Sequence, residues 1–168
     1  MQISKKVVVL GHFGVGKTSL IRRIVDDSFS DNYEVSIGVH ITKKTVELEP
    51  DTSVSLILWD LEGTADLTEI RASYLLGTHA VIYVFDLSRS STFLNIRQDL
   101  AVIAKKLPNT PFSVVGNKVD LIVPDELAQI LGNHEISLDY LTSAKTGDKV
   151  DELFEHLAKT LALNAETT

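Results

Sequence analysis

The sequence predicts an α/β domain built on a six-stranded mixed, mainly parallel sheet flanked by five helices. Two observations carry that expectation. Apolar runs of strand length alternate with segments of helical period along all 168 residues. Between the first strand-like run and the first helix-like segment stands Gly11-His12-Phe13-Gly14-Val15-Gly16-Lys17-Thr18, a complete G-x-x-x-x-G-K-[ST] pattern. A strand feeding a glycine-rich turn and then a helix is the setting in which that pattern has physical meaning.

The elements follow in order. Ile3–Leu10 reads as a strand ending in Val7-Val8-Val9-Leu10, and Thr18 to Asp27 as a helix. Val39–Leu48 and Val54–Asp60 are strands joined by Glu49-Pro50-Asp51-Thr52, a turn short enough for an antiparallel hairpin. A helix is expected around Leu67–Leu76, then a strand over Ala80–Asp86. Continuous apolar runs such as this one suit strands buried on both faces. Phe93, Ile96, Leu100, Ile103 and Leu107 recur at three- and four-residue steps, a core-facing helical stripe starting at Ser88 to Ser91. Phe112–Gly116 is a strand, Asp125–Leu131 a short helix and Leu138–Thr142 the last strand. Val150, Leu153, Phe154, Leu157 and Leu161 mark the final helix, begun at Gly147-Asp148. No internal repeat or interdomain linker interrupts this order, so one domain is expected over 1–164, with 165–168 as a tail.

Composition bounds the function. Hydrophobic residues make up 44% and charged residues 23%, an ordinary globular balance. The net charge of -7 argues against nucleic acid as a partner, which would need a basic face. The absence of cysteine excludes disulfides, thiolate metal sites and thiol catalysis. No apolar run is long enough to span a bilayer. Gln2 does not fit N-myristoylation, and Asn164 to Thr168 carries no cysteine to prenylate. The expectation is a cytoplasmic protein with no intrinsic membrane anchor in this chain.

Three loops carry chemistry. In the first, successive backbone N–H groups of Gly14, Val15 and Gly16 and the helix start at Lys17, Thr18 and Ser19 point at one place, which suits polyphosphate. Lys17 reaches the β- and γ-phosphates and the Thr18 hydroxyl suits Mg²⁺. By itself this loop does not separate ATP from GTP. In the second, Asn117-Lys118-Val119-Asp120 follows a strand end, where α/β sheets bind ligands. The Asp120 carboxylate can accept from the N1–H and exocyclic amine of guanine, while adenine has no such donor pair and would leave it unpaired. Asn117 can tie this loop to the first, and the Lys118 stem can lie along the base. In the third, Thr142-Ser143-Ala144-Lys145 offers the Ala144 N–H to guanine O6 and the Ser143 hydroxyl to Asp120. A solvated loop after a strand is the plain alternative for the second and third.

With these motifs in this order, nearly the whole chain resembles the Ras superfamily of small GTP-binding proteins, and within it the Rab branch. Tyr33 to Val39 resembles the Rab-type first switch, Tyr74 to Asp86 the following helix end and strand, and Trp59-Asp60-Leu61-Glu62-Gly63-Thr64 stands where the family has tryptophan-aspartate-threonine-alanine-glycine-glutamine. The resemblance implies a P-loop GTPase fold, GTP/GDP and Mg²⁺ as cofactors, and a switch in which Ser36 and Gly63 contact the γ-phosphate only in the GTP state. It further implies Thr18, Ser36 and Asp60 as metal-side residues, Asp60 through water. Phe29 would pack against guanine, although a core aromatic is its other reading. Effectors and exchange factors would read Ile37, Ile41, Trp59, Leu67, Ile70 and Tyr74, for each of which core packing is the alternative.

Four positions depart from the family. Thr64 replaces the glutamine that orients the attacking water and is too short to do so from the same backbone. Phe13 stands where the family has a small residue and fills the space through which an arginine finger enters, worth about 10³–10⁵ in rate. Glu62 brings a carboxylate to the phosphate region, where it repels nucleotide, competes for Mg²⁺ or positions water. Leu61 replaces threonine as a packing change. The catalytic set expected is therefore Lys17, Glu62, Gly63 and Thr64, in a GTPase with hydrolysis below the order of 10⁻⁴ s⁻¹ and insensitive to glutamine-plus-arginine-finger activation. The alternative is a binding module held in the GTP state. An ATP-dependent P-loop enzyme is disfavoured by the second and third loops.

Overall fold

The computed structural model describes residues 1–166 except 32–37, 62 and 65. Its six strands are β1 (Gln2–Leu10), β2 (Val39–Leu48), β3 (Thr52–Leu61), β4 (Ala80–Asp86), β5 (Phe112–Asn117) and β6 (Tyr140–Leu141), and its helices are α1 (Lys17–Asp26), α2 (Ala72–Leu75), α3 (Ile96–Lys106), α4 (Pro124–Asn133) and α5 (Val150–Glu166). The strands form one sheet in the order β2-β3-β1-β4-β5-β6. β2 and β3 are antiparallel, from Leu48↔Thr52 at the turn to Val39↔Leu61 at the open end. Every other pairing is parallel. The expected sheet and the expected hairpin are both present.

Alternation along β1 assigns the two faces. Val7 and Val9 pack into one cluster with Leu20, Ile21 and Ile24 of α1 and Leu153, Phe154, Leu157 and Leu161 of α5. Val8 and Leu10 point the other way, into a cluster with Tyr83, Phe85, Phe93, Ile96, Ile103 and Val114. This is the period-two rule for a strand covered on both sides. All seven residues of β4 are buried, so the strand that read as a continuous apolar run lies at the centre of the sheet.

Three elements differ from the sequence reading. The single helix expected around Leu67–Leu76 is two one-turn pieces, a 3-10 turn at Leu67–Glu69 and α2, separated by extended residues Ile70 and Arg71. The Asp66 carboxylate accepts from the Thr68 N–H at 2.9 Å and the Thr68 hydroxyl at 2.5 Å. Such local side-chain bonds favour a tight turn over a continuing helix. Phe93 lies ahead of α3, because the Thr92 hydroxyl accepts from the Asp86 N–H at 3.0 Å and folds Ser90–Thr92 into its own 3-10 turn. The last strand shrinks from 138–142 to Tyr140–Leu141, since the Asp139 carboxylate takes the Val114 N–H at 2.7 Å in place of a ladder bond.

Parallel pairing brings the C-terminal ends of β1, β3, β4, β5 and β6 to one edge of the sheet. The loops at 11–18, 117–120 and 142–145 leave from that edge, the usual ligand side of an open α/β sheet. Among the described residues, no helix is long and apolar enough to cross a membrane.

Candidate nucleotide-binding site

At that edge lies a cleft of about 660 Å³, within the range of small-ligand sites. Gly14, Gly16, Lys17, Thr18 and Ser19 line its floor, Asp60 and Gly63 one side, and Phe29, Asn117, Lys118, Asp120, Ala144 and Lys145 the other. Two of the expected binding residues stand behind the lining. Val15 and Ser143 are fully buried and support it. Ser36, Ile37 and Glu62 lie outside the described residues.

Glycine is required at two points where these loops pack closely. Gly16 takes φ +102° at the start of α1, and a Cβ there would sit 2.2 Å from Asn117 Nδ2. A Cβ on Gly63 would lie 2.7 Å from both N and Cα of Phe13. The third strand's loop is thus packed directly on the His12–Phe13 peptide. Thr64 reinforces this contact, its N–H donating to the Gly11 carbonyl at 3.3 Å.

Asn117 is the knot that joins the three loops. It is buried, its amide donates to the Val15 carbonyl at 3.0 Å, and its Oδ1 accepts from the Thr142 hydroxyl at 3.0 Å and the Ala144 N–H at 3.3 Å. The Lys118 ammonium donates to the Gly14 carbonyl at 2.9 Å. It also lies 2.8 Å from Asp86 Oδ2, close enough for an ion pair though not aligned as a hydrogen bond. Asp120 projects into the cleft with one oxygen braced by the Ser143 hydroxyl at 2.7 Å. Phe29 lines the cleft and also packs on the core.

The Lys17 end of the cleft holds two buried charged groups, Lys17 and Asp60. Lys17 is 6% exposed and rests on the carbonyls of Gly11 at 3.3 Å and His12 at 3.2 Å. Burial pushes its ammonium down to about 8, against the opposing pull of the Asp60 carboxylate. Asp60 is 2% exposed. Its Oδ2 accepts from the Thr18 hydroxyl at 2.5 Å, while buried Oδ1 has no hydrogen-bond partner among the described residues. Burial raises the Asp60 carboxyl above its ordinary range, and the Thr18 hydrogen bond and nearby Lys17, His40 and Arg22 pull it back. A hydroxyl beside a carboxylate with an open oxygen is an all-oxygen donor set that fits Mg²⁺, which is held by few protein oxygens plus water and substrate phosphate.

On the expected hydrolysis side, the Thr64 hydroxyl is engaged with residue 66, donating to the Asp66 carbonyl and accepting from its N–H, both at 3.1 Å. The Phe13 ring is 46% exposed and lines the cleft.

The residues expected to face partners differ in exposure. Ile41 is exposed and pairs across the hairpin with Trp59. Trp59, Ile70 and Tyr74 are half-buried. Leu67 is a correction: at 2% exposed it is part of the core, because the 3-10 turn folds it inward.

Several residues that shape the site were not found in the sequence. Arg23 donates to the carbonyls of Ala144 at 2.8 Å and Lys145 at 2.6 Å, so α1 holds the third loop. Lys6 lies 3.7 Å from the Trp59 ring centroid and donates to the carbonyls of Tyr74 at 2.6 Å and Leu76 at 2.8 Å. Both partner with backbone far away in sequence, which no local motif encodes.

A family model described as Ras family matches residues 6–163. The Ypt/Rab-type GTPase YPT7 of Saccharomyces cerevisiae is 36% identical over 166 residues, covering 92% of this chain and 79% of that protein. Ras-related protein RABD2c of Arabidopsis thaliana is 35% identical over 94% of this chain and 79% of its own length. Ras-related protein Rab-1 of Theileria annulata is 32% identical over 93% and 73%. With a match that runs almost end to end and relatives of one kind, the chain belongs to the Ras family and is a Rab-like small GTPase, of a family that binds GTP and GDP with Mg²⁺ and works as a molecular switch.

Proposed function

We propose that this protein is a GTP/GDP switch whose own hydrolysis of GTP is slow. In this reading Gly14 to Ser19 wrap the phosphates, Lys17 contacts the β- and γ-phosphates, and Asp120, braced by Ser143, selects guanine. Asn117, Lys118, Ala144 and Lys145 complete the base side, with Phe29 against the ring. Thr18, Asp60 and Ser36 face Mg²⁺, which when bound neutralises phosphate charge. Gly63 and Ser36 respond to the γ-phosphate, and its loss frees both loops. The exposed face around Ile41, Trp59, Ile70 and Tyr74 is where effectors and exchange factors read the state, as exposed apolar patches commonly do.

One observation carries the slow rate: the Thr64 hydroxyl is already committed to the backbone of residue 66. Phosphoryl transfer depends on positioning and charge stabilisation, so a side chain turned away from the reacting water contributes little. The exposed Phe13 ring at the same end of the cleft adds a steric reason for insensitivity to an arginine supplied by a partner. Single-turnover GTP hydrolysis tests this. The expected rate is below the order of 10⁻⁴ s⁻¹, with acceleration in Thr64→Gln combined with Phe13→Gly. A wild-type rate well above that value overturns the proposal. Nucleotide retained through purification is the companion measurement, GTP being expected for a module that never turns over.

A further inference from the structure

We propose that Asp99 is a positioning residue for the phosphate loop: its carboxylate, held by Tyr83, tethers the His12 ring to α3 and so governs how fast bound nucleotide leaves. Two groups from different elements converge on one oxygen. The Tyr83 hydroxyl of β4 donates to Asp99 Oδ2 at 2.6 Å, and His12 Nε2 lies 3.3 Å from the same atom. An ionised carboxylate is acceptor only, so the imidazole donates through Nε2. Tyr83 is fully buried and Asp99 is 8% exposed. Burial, then the neighbouring carboxylate, keeps the phenol protonated and therefore a donor. Burying a carboxylate is costly unless it is paired, and apolar side chains of similar volume would fill this space at less cost. The arrangement therefore favours geometry over packing.

What the tether holds is the peptide on which the rest of the phosphate end rests. The His12 carbonyl accepts from Lys17. The Phe13 carbonyl accepts from Arg89 Nη2 at 2.6 Å, a second grip from the segment leading into α3. Gly63 packs on the same His12–Phe13 unit. A shift of this peptide moves the lysine that meets phosphate and the glycine that responds to it.

The readout rests on the cleft being a guanine-nucleotide site. Release of fluorescent GDP is measured for wild type, His12→Phe, Tyr83→Phe/Asp99→Leu and the triple variant. The buried pair is replaced by apolar groups together, so that neither partner is left unpaired. The expectation is release about tenfold faster in His12→Phe and in the double variant, with little change in melting temperature. The triple variant should be no faster than either, since one tether cannot be cut twice. His12→Gln, whose amide can reach the carboxylate, should restore slow release. Unchanged release in His12→Phe, multiplying factors in the triple variant, or His12→Gln as fast as His12→Phe overturns the proposal. If wild type binds no guanine nucleotide, the reading of the cleft fails separately. The tether is then read from amide exchange at residues 11–14 without nucleotide, where faster exchange in His12→Phe supports it and unchanged exchange overturns it.

Discussion

Replacing Asn117 by alanine removes three hydrogen bonds at once. The Val15 carbonyl, the Thr142 hydroxyl and the Ala144 N–H each lose a partner at 3.0, 3.0 and 3.3 Å. Val15 and Thr142 are fully buried and Ala144 is nearly so, which keeps solvent from substituting. Taking about 1 kcal/mol for each bond gives a loss of about 3 kcal/mol. For a domain of this size, each kcal/mol lowers the melting temperature by about 2–4 °C, so a fall of about 6–12 °C is expected. Thermal unfolding followed by circular dichroism measures it. The same substitution separates the phosphate loop from the third loop, so GDP affinity should fall further than stability does. A melting temperature within about 2 °C of wild type would refute the reasoning, because the three loops would then be held by contacts other than Asn117.

Gly63→Ala forces a methyl group into Phe13 backbone at 2.7 Å; the loop after β3 must move, and the mutant is expected to lose its preference between GTP and GDP in competition binding, with equal retention of that preference counting against the contact. Lys17 sets a pH dependence in nucleotide-free protein. Its folded value of about 8 lies below the unfolded value, so the unfolded chain binds more protons between about pH 8 and 10.4. Wild type should therefore gain stability relative to Lys17→Met as pH rises through that window, a difference on the order of 3 kcal/mol when complete; urea midpoints that stay parallel for the two proteins would exclude it. Lys6→Met removes the cation over Trp59 and the donors to the Tyr74 and Leu76 carbonyls. Faster hydrogen exchange across residues 72–78 and a shifted Trp59 emission are expected, and wild-type exchange there would show that Lys6 of β1 does not hold that segment.

Much of the fold was legible because its signals are local or periodic. The stripe from Val150 to Leu161 read as a helix, and β4 as a strand covered on both faces, since burial leaves a direct mark on residue type. The misread elements are those where one side chain competes with backbone pairing. Asp66 closes a tight turn, Thr92 delays α3 and Asp139 shortens β6. Periodicity is silent about such bonds, which depend on a side chain's own donors and acceptors and not on the spacing of apolar residues. At the candidate site, the loops at 11–18, 117–120 and 142–145 were legible because they are short contiguous runs whose types and order along the chain, taken together, point to one chemistry. Leu67 was misplaced for the opposite reason: an apolar residue beside exposed ones has no local sign of which way it faces.

By itself the sequence determined the α/β order, the glycine-rich loop with Lys17 and Thr18, and the carboxylate at Asp120, because these depend on contiguous residues and on what their side chains can donate or accept. Only the tertiary structure decided that Arg23 carries the third loop and that Tyr83, Asp99 and His12 share one oxygen. Those contacts join residues up to 122 positions apart, and whether two such groups meet is set by the packing of the whole sheet and its helices rather than by any segment of the chain.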